Sequence, residues 1–252
     1  MTYLATAFSE SCIVMGSDGR AHYFDDWKEN EKVVGKIITS YWDGNQKTFL
    51  VKRRIGISTQ GLLFWGDERQ ILSLLIKNFE GTVGERSSLL EVGRKLLQWF
   101  RGTKRRGSHE YEVMHLIVAG FENRTPHVFY INTFGDGSIE NVCPKRMKSG
   151  VINGDGETAE ILNPAAGKES LIRFVRNEIL RAHYLKPFDV GDKLDTLVIP
   201  QYGAPYWHQR QKRYHRYPTY DRYMEALHRG SIRGEKLPRP IKLRYQVTKR
   251  YG

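Results

Sequence analysis

The amino-acid sequence predicts an α+β fold in which helices pack on sheets in layers. Apolar runs of strand length open the chain, and helical periodicity takes over near residue 67. Further strands, two more helical segments and a last strand follow in that order. Strands and helices therefore come in segregated runs rather than in alternating βαβ units. At 252 residues and 40% hydrophobic content, the chain can bury a sizeable core as one domain, or one domain with an appendage.

The first twenty residues predict a β-hairpin. Residues 3–8 and 12–16 are apolar runs on either side of a polar turn at residues 9–11. Pairing of these strands would bring Thr2 and Asp18 side by side at one end of a sheet. Removal of Met1 would give Thr2 a free α-amine beside its hydroxyl, which is a nucleophile with its own base. The alternative is that Met1 is lost without consequence and that Asp18 belongs to an ordinary turn.

Local signals define the remaining elements as far as residue 200. Turn residues follow residues 33–42 at Asp43-Gly44-Asn45, and Ser88 with Glu91 forms a plausible capping box. A Gly-rich turn at residues 151–156 leads into a helix near Glu157. The predicted strands are 33–42, 47–51, 54–61, 111–121, 127–132, 139–142 and 194–199, and the other predicted helices are 67–79, 87–100 and 168–184.

Net charge is distributed unevenly along the chain. The total is +12, but residues 208–252 carry 13 Lys and Arg against three Asp and Glu, a net charge of +10. Residues 201–231, which overlap this basic stretch, interleave Tyr, Trp, His and Arg, which suits either nucleic-acid binding or an arm that lies on a neighbouring subunit. The arm is the favoured interpretation, and residues 243–248 are a candidate last strand.

No stretch of the sequence predicts a membrane span or a secretory signal. There is no run of 18 apolar residues, and the N-terminus lacks a basic start followed by an apolar segment. We therefore expect a cytoplasmic protein with no membrane partner. Cys12 and Cys143 are isolated and have no metal-ligand spacing, so neither a metal nor a cofactor is expected.

Five residues of the N-terminal quarter have a characteristic spacing. Thr2 is followed sixteen residues later by Asp18 and then by Arg20, within Ser-Asp-Gly-Arg. Lys47 lies fourteen residues before Gly61. This pattern resembles the proteasome-type β subunits of the N-terminal nucleophile (Ntn) hydrolases, with the bacterial Anbu and HslV types as the nearest likeness. The later segments HLIVAGF, PHVFYINTFGDG, VINGDG and VGDKLDTLVIP add to the likeness, which covers residues 2 to about 200.

The resemblance implies a fold, an activity and a site. It implies a four-layer α-β-β-α sandwich for residues 1–200, with residues 201–252 as a basic, aromatic-rich extension. It also implies a self-compartmentalising threonine endopeptidase that cleaves peptides or unfolded proteins inside a homo-oligomeric ring or open spiral. An ATP-dependent unfoldase is compatible with this, but nothing in the sequence indicates one. The implied residues are Thr2, Asp18 and Lys47 for catalysis, Gly61 for substrate binding, and Arg20 and Asp155 in support.

The chain departs from the family pattern at two places. Residues 153–156 read Asn-Gly-Asp-Gly where the family has Gly-Ser-Gly, and residues 187–191 read Pro-Phe-Asp-Val-Gly where it has Asp-x-x-Ser-Gly. The alternative is therefore a subunit that assembles without hydrolysing peptides. Two further alternatives stay open: Lys47 is a solvated lysine at a strand edge, and Gly61 is a turn glycine.

Overall fold

The computed structural model describes most of the first 210 residues and a few short stretches beyond them. The described residues are 3–61, 64–65, 70–103, 114–133, 136–142, 150–152, 167–187, 189–210, 221–222, 225, 229 and 235–244. The first strands in chain order are β1 Leu4–Phe8, β2 Cys12–Asp18, β3 Ala21–Glu29, β4 Lys32–Trp42, β5 Thr48–Val51, β6 Ile55–Gln60, β7 Phe64–Trp65 and β8 Gln70–Ile71. The later strands are β9 His115–Glu122, β10 Thr125–Asn132, β11 Ser138–Asn141, β12 Gly150–Ile152, β13 Leu194–Pro200, β14 Tyr206–Gln209 and β15 Glu235–Arg244. The helices are α1 Leu72–Glu80, α2 Leu89–Gly102 and α3 Lys168–Leu185.

Two five-stranded antiparallel sheets carry the core. The first has the strand order β12-β1-β2-β13-β14, and the second has the order β11-β10-β9-β6-β5. The predicted N-terminal hairpin is confirmed, since β1 and β2 pair with Leu4 opposite Ser17 and Phe8 opposite Ile13. All residues of these two strands are buried. The hairpin is thus an interior element of the first sheet, flanked by strands on both sides.

Three hydrophobic clusters of the described residues pack against these two sheets. One cluster lies between the sheets and includes Phe8, Met15 and Leu197. A second lies where α1 and α2 pack on the second sheet, and a third lies where α3 packs on the first. Apolar residues at helical spacing supply the helix contacts, because they form one face of each helix.

The predicted four-layer α-β-β-α sandwich is wrong as the fold of this chain. The structure is mostly β, in several antiparallel sheets. Within the described residues, two further sheets occur, one with the order β15-β4-β3 and one formed by β7 and β8. The prediction failed because the order of strands and helices along a chain does not determine which strands pair. The predicted helix near Glu157 lies outside the described residues.

The helix boundaries differ from prediction by a few residues. The helix predicted for residues 67–79 begins at Leu72, because Gln70 and Ile71 pair with β7 instead. At the start of α2, the hydroxyl of Ser88 accepts a hydrogen bond from the Glu91 amide at 3.1 Å. This confirms the Ser88 half of the predicted capping box. The Glu91 carboxylate accepts a hydrogen bond from the hydroxyl of Ser87 at 3.2 Å.

Two strands beyond residue 200 pair with strands from before it. β14 pairs with β13, and β15 pairs with β4. The domain boundary at residue 200 stays a prediction. No helix in the described stretches has both the length and the apolar character that crossing a membrane requires.

Candidate active site

Asp18 and Lys47 form a buried ion pair at the end of β2. The Nζ atom of Lys47 lies 3.2 Å from Oδ1 and 3.3 Å from Oδ2 of Asp18. Asp18 is 0% exposed and Lys47 is 5% exposed. Lys47 is therefore not the solvated strand-edge lysine that the sequence left open. The structure brings together two of the residues that the sequence selected.

The Asp18 carboxylate also accepts three backbone hydrogen bonds. Oδ1 accepts from the amide of Tyr3 at 2.8 Å, and Oδ2 accepts from the amides of Arg20 at 2.9 Å and Gly191 at 3.2 Å. Such bonds stabilise the charged form of a buried carboxylate. The Tyr3 nitrogen is the atom that bonds covalently to the carbonyl carbon of Thr2. Thr2 itself lies outside the described residues.

Lys47 immediately precedes β5 and has a second hydrogen-bond partner. Its Nζ atom donates to the main-chain carbonyl of Arg20 as well as to Asp18. Burial lowers the pKa of the Lys47 ammonium, and the charge of Asp18 and its hydrogen bond oppose that effect. The net result is a pKa below that of a solvated lysine. Nearby charges therefore bear on the pKa of this group.

The Arg20 side chain is held by three groups. Its Nε and Nη2 atoms each donate to a different carboxylate oxygen of Asp43 at 2.8 Å, which is a bidentate pair. Nη1 donates to the carbonyl of Pro187, and the guanidinium lies 3.9 Å from the centre of the Tyr41 ring. Burial lowers the pKa of Arg20, but the hydrogen bonds and charge of Asp43 outweigh it, so the pKa is raised overall.

The turn at residues 43–45 contributes more to the site than the sequence indicated. The amide and the side-chain Nδ2 of Asn45 both donate to the carbonyl of Gly19, at 3.0 Å and 3.1 Å. A Cβ atom built on Gly191 would lie 2.8 Å from Oδ1 of Asp43, so glycine permits this close approach. Sequence reasoning identified the turn but not its contacts, which join residues 23 or more positions apart.

The other predicted site residues are less closely connected to the pair. Gly61 follows β6, is exposed and has a φ of 136°, a conformation that favours glycine. Its strand is anchored beside Lys47, because the Thr59 amide donates to the Lys47 carbonyl at 2.8 Å. Asp155 lies outside the described residues. Its supporting role stays a prediction.

Three buried hydroxyls form a hydrogen-bonded group between the sheets. Two of them belong to Ser17 and Thr48, which are the sequence neighbours of Asp18 and Lys47. The hydroxyl of Thr48 donates to that of Ser17 at 2.9 Å and lies 3.0 Å from that of Ser58. Sequence reasoning missed this group. The signal was a small polar residue next to each candidate catalytic residue, within otherwise apolar strands.

The site combines a buried acid, a buried amine and backbone donors next to the start of β1. This set can hold a positive charge at Lys47 and can stabilise developing negative charge. No group of three His, Cys, Asp or Glu side chains within the described ranges is arranged to hold a metal ion. A scan against protein-family models and a search of curated proteins both found nothing that matches this chain.

Proposed function

We propose that this chain is a cytoplasmic threonine-type peptidase that hydrolyses peptide bonds within a homo-oligomer. The observation that supports it most is the contact between the start of the chain and the buried pair. The amide that follows Thr2 donates to Asp18, and Asp18 is bonded to Lys47. The residue whose carbonyl carbon bonds to that amide nitrogen is Thr2, the proposed nucleophile.

In the proposed reaction, Met1 is first removed, so that Thr2 carries both a hydroxyl and a free α-amine. The hydroxyl oxygen attacks the substrate carbonyl carbon while the α-amine takes the hydroxyl proton. The tetrahedral intermediate collapses to an ester on Thr2, and the departing amine takes that proton. Water, deprotonated by the α-amine, then hydrolyses the ester and restores the hydroxyl.

Lys47 and Asp18 act on the nucleophile in this proposal. An α-amine titrates near ~7.7–8.0, so it can accept a proton at neutral pH. The Lys47 ammonium lowers the pKa of that amine and stabilises the developing negative charge. Asp18 holds Lys47 in place, as the third member of a triad does for its base. The backbone amide of Gly61 is the candidate oxyanion donor, on a strand that can pair with an extended peptide.

An inactive assembly subunit is the alternative, and one observation favours it. Val190 takes the position where the resemblance leads us to expect a serine, and its side chain is 3% exposed in the cluster under α3. It therefore offers no hydroxyl to the nucleophile. The neighbouring Gly191 amide still donates to Asp18, so the acid keeps that support.

Mass spectrometry and active-site labelling separate these two functions. A peptidase loses Met1, and an electrophile directed at N-terminal threonine adds once to the wild type and not to Thr2→Ala. The matched control, Thr125→Ala, removes an exposed threonine and should label as the wild type does. Active protein that retains Met1 would overturn the mechanism. Absence of labelling in the wild type would favour the inactive subunit.

Nucleic-acid binding is a second candidate function, supported by the +10 charge of residues 208–252. The guanidinium of Arg210 lies 5.0 Å from the ring centre of Trp207, a pairing that can also stack on a base. Truncation at residue 200 is a poor test, because it removes β14 and β15. Changing Lys212, Arg213 and Arg216 to Gln should instead weaken binding to a labelled single-stranded DNA and flatten its salt dependence. Unchanged binding would exclude these residues as the site.

A further inference from the structure

We propose that Asp43 is a positioning residue that sets the location of Lys47 by fixing Arg20. The inference rests on the proposed function, in which Lys47 acts beside the nucleophile. Asp43 acts on Lys47 in two ways: its carboxylate fixes Arg20, and its charge acts on the Lys47 ammonium directly.

Arg20 contacts both members of the ion pair through its main chain. Its amide donates to Oδ2 of Asp18 at 2.9 Å, and its carbonyl accepts from Nζ of Lys47. A rotation or shift of this one residue would therefore disturb two bonds at the site. The position of Arg20 is a condition for the geometry of the pair.

Asp43 restricts that movement from the side-chain end. Both of its carboxylate oxygens accept from the Arg20 guanidinium at 2.8 Å, and its side chain is 16% exposed. A Cβ atom built on Gly191 would lie 2.8 Å from Asp43 Oδ1 and 3.3 Å from the Arg20 Cβ atom, so a side chain at residue 191 would crowd this pair. A bidentate, largely buried pair defines orientation as well as distance.

The charge of Asp43 also affects Lys47, in addition to the hydrogen bonds that Asp43 makes to Arg20. Three charged side chains bear on the Lys47 ammonium: Asp18 from the end of β2, Arg20 just after it, and Asp43 just after β4. The two carboxylates raise the pKa of Lys47, and Arg20 lowers it. Loss of the Asp43 charge would leave the positive charge of Arg20 uncompensated, and the pKa of Lys47 would fall further.

The experiment compares Asp43→Asn with Asp25→Asn in the full-length chain. Asp25 is an exposed aspartate on β3, so its replacement removes the same charge from the same hairpin. Two quantities are measured: the titration of the Lys47 Nζ by ¹⁵N-lysine NMR, assigned with Lys47→Arg, and the pH profile of labelling by a threonine-directed electrophile.

We expect Asp43→Asn to lower the pKa of Lys47 and to move the basic limb of the labelling profile to lower pH. Displacement of Lys47 should also slow labelling by about 10- to 100-fold, while Asp25→Asn stays at the wild-type values. If Asp43→Asn fails to fold, Asp43→Glu keeps the charge and should slow labelling without lowering the pKa of Lys47. Equal Lys47 titration and labelling in Asp43→Asn and Asp25→Asn would overturn the proposal.

The two readouts keep this proposal separate from the peptidase activity. If the wild type is not labelled, the peptidase function fails, and the NMR titration alone then tests whether Asp43 controls Lys47. If the wild type is labelled but Asp43→Asn leaves the titration and the rate unchanged, only the positioning role fails.

Discussion

Two lysine–carboxylate pairs have nearly the same separation but lie in opposite environments. In one, Lys47 Nζ lies 3.2 Å from Oδ1 of Asp18; in the other, Lys95 Nζ lies 3.0 Å from Oε1 of Glu91. The side chains are 6% and 0% exposed in the first pair and 40% and 47% exposed in the second. Distance alone therefore says little about what an ion pair does.

The two pairs differ in how their charges are compensated. Water compensates the charges of Lys95 and Glu91 on the surface of α2, and dissolved salt screens them. Lys47 and Asp18 have lost that water, so backbone donors and the Arg20 carbonyl must replace it. A buried ion pair often stabilises a fold no more than apolar residues of similar volume would. The pair therefore calls for a functional explanation, and the proposed peptidase activity is one.

Replacement of Lys47 should have the largest effect on stability. Lys47→Met leaves the Asp18 carboxylate buried without its counter-charge, and we expect the free energy of unfolding to fall by about 3–5 kcal/mol. Urea denaturation followed by circular dichroism measures the change. A loss below about 1 kcal/mol, in the range of exposed pairs, would remove the distinction between the two pairs.

Gly191→Ala should have the next largest effect. The new Cβ atom would lie 2.8 Å from Oδ1 of Asp43 and 3.3 Å from the Arg20 Cβ atom, so these groups must shift. We expect a loss of about 1–3 kcal/mol in the same denaturation assay. Gly102→Ala is the control, since a Cβ atom there meets nothing within 4 Å. Equal stability of the two variants would show that the packing around Asp43 is loose.

The contribution of Lys47 to stability should depend on pH. Its pKa is lower in the folded protein than in the unfolded chain, because burial disfavours the charged form. Between the lowered folded value and ~10.4, the unfolded chain binds more protons, so the free energy of unfolding rises with pH. The rise is at most about 1.4 kcal/mol per pH unit. The free energy of unfolding of the wild type minus that of Lys47→Met, measured up to pH 10, should rise with this slope. A difference that falls with pH would contradict the prediction.

Lys95→Met should have the smallest effect. Its partner is exposed, so the urea midpoint at neutral pH should coincide with that of the wild type. The hydrogen bond from Lys95 is the main cause that lowers the pKa of Glu91. The stabilisation that the pair contributes is present above the pKa that Glu91 has in the unfolded chain. It is lost as the pH falls through the lower pKa that Glu91 has in the folded protein. A clear midpoint shift at neutral pH would show that the surface pair matters more than its exposure indicates.

Local sequence signals predicted the parts of this molecule that local interactions determine. The N-terminal hairpin has a short turn between two apolar runs, and α2 has Ser88 as its N-cap residue. The Asp18–Lys47 pair came from the spacing shared with a resembling family rather than from propensity. Its burial and partners required the structure.

Contacts between distant segments account for what the sequence could not predict. Asp43 was identified as a turn residue, yet it bonds to Arg20, 23 positions earlier. Gly191 donates to Asp18 across 173 positions. The sheet arrangement was missed for the same reason, since β4 pairs with a strand that begins at Glu235. No local periodicity reports such pairings.

The pairing of β15 with β4 also affects how the chain interacts with copies of itself. β4 is an eleven-residue strand with β3 on one side and β15 on the other, so its backbone amides and carbonyls are covered on both edges. Loss of β15, by proteolysis near residue 235 or by a premature stop, would expose one of those edges. An exposed edge of that length is a template for intermolecular β-pairing and aggregation. β15 thus protects the hairpin that leads to Asp43.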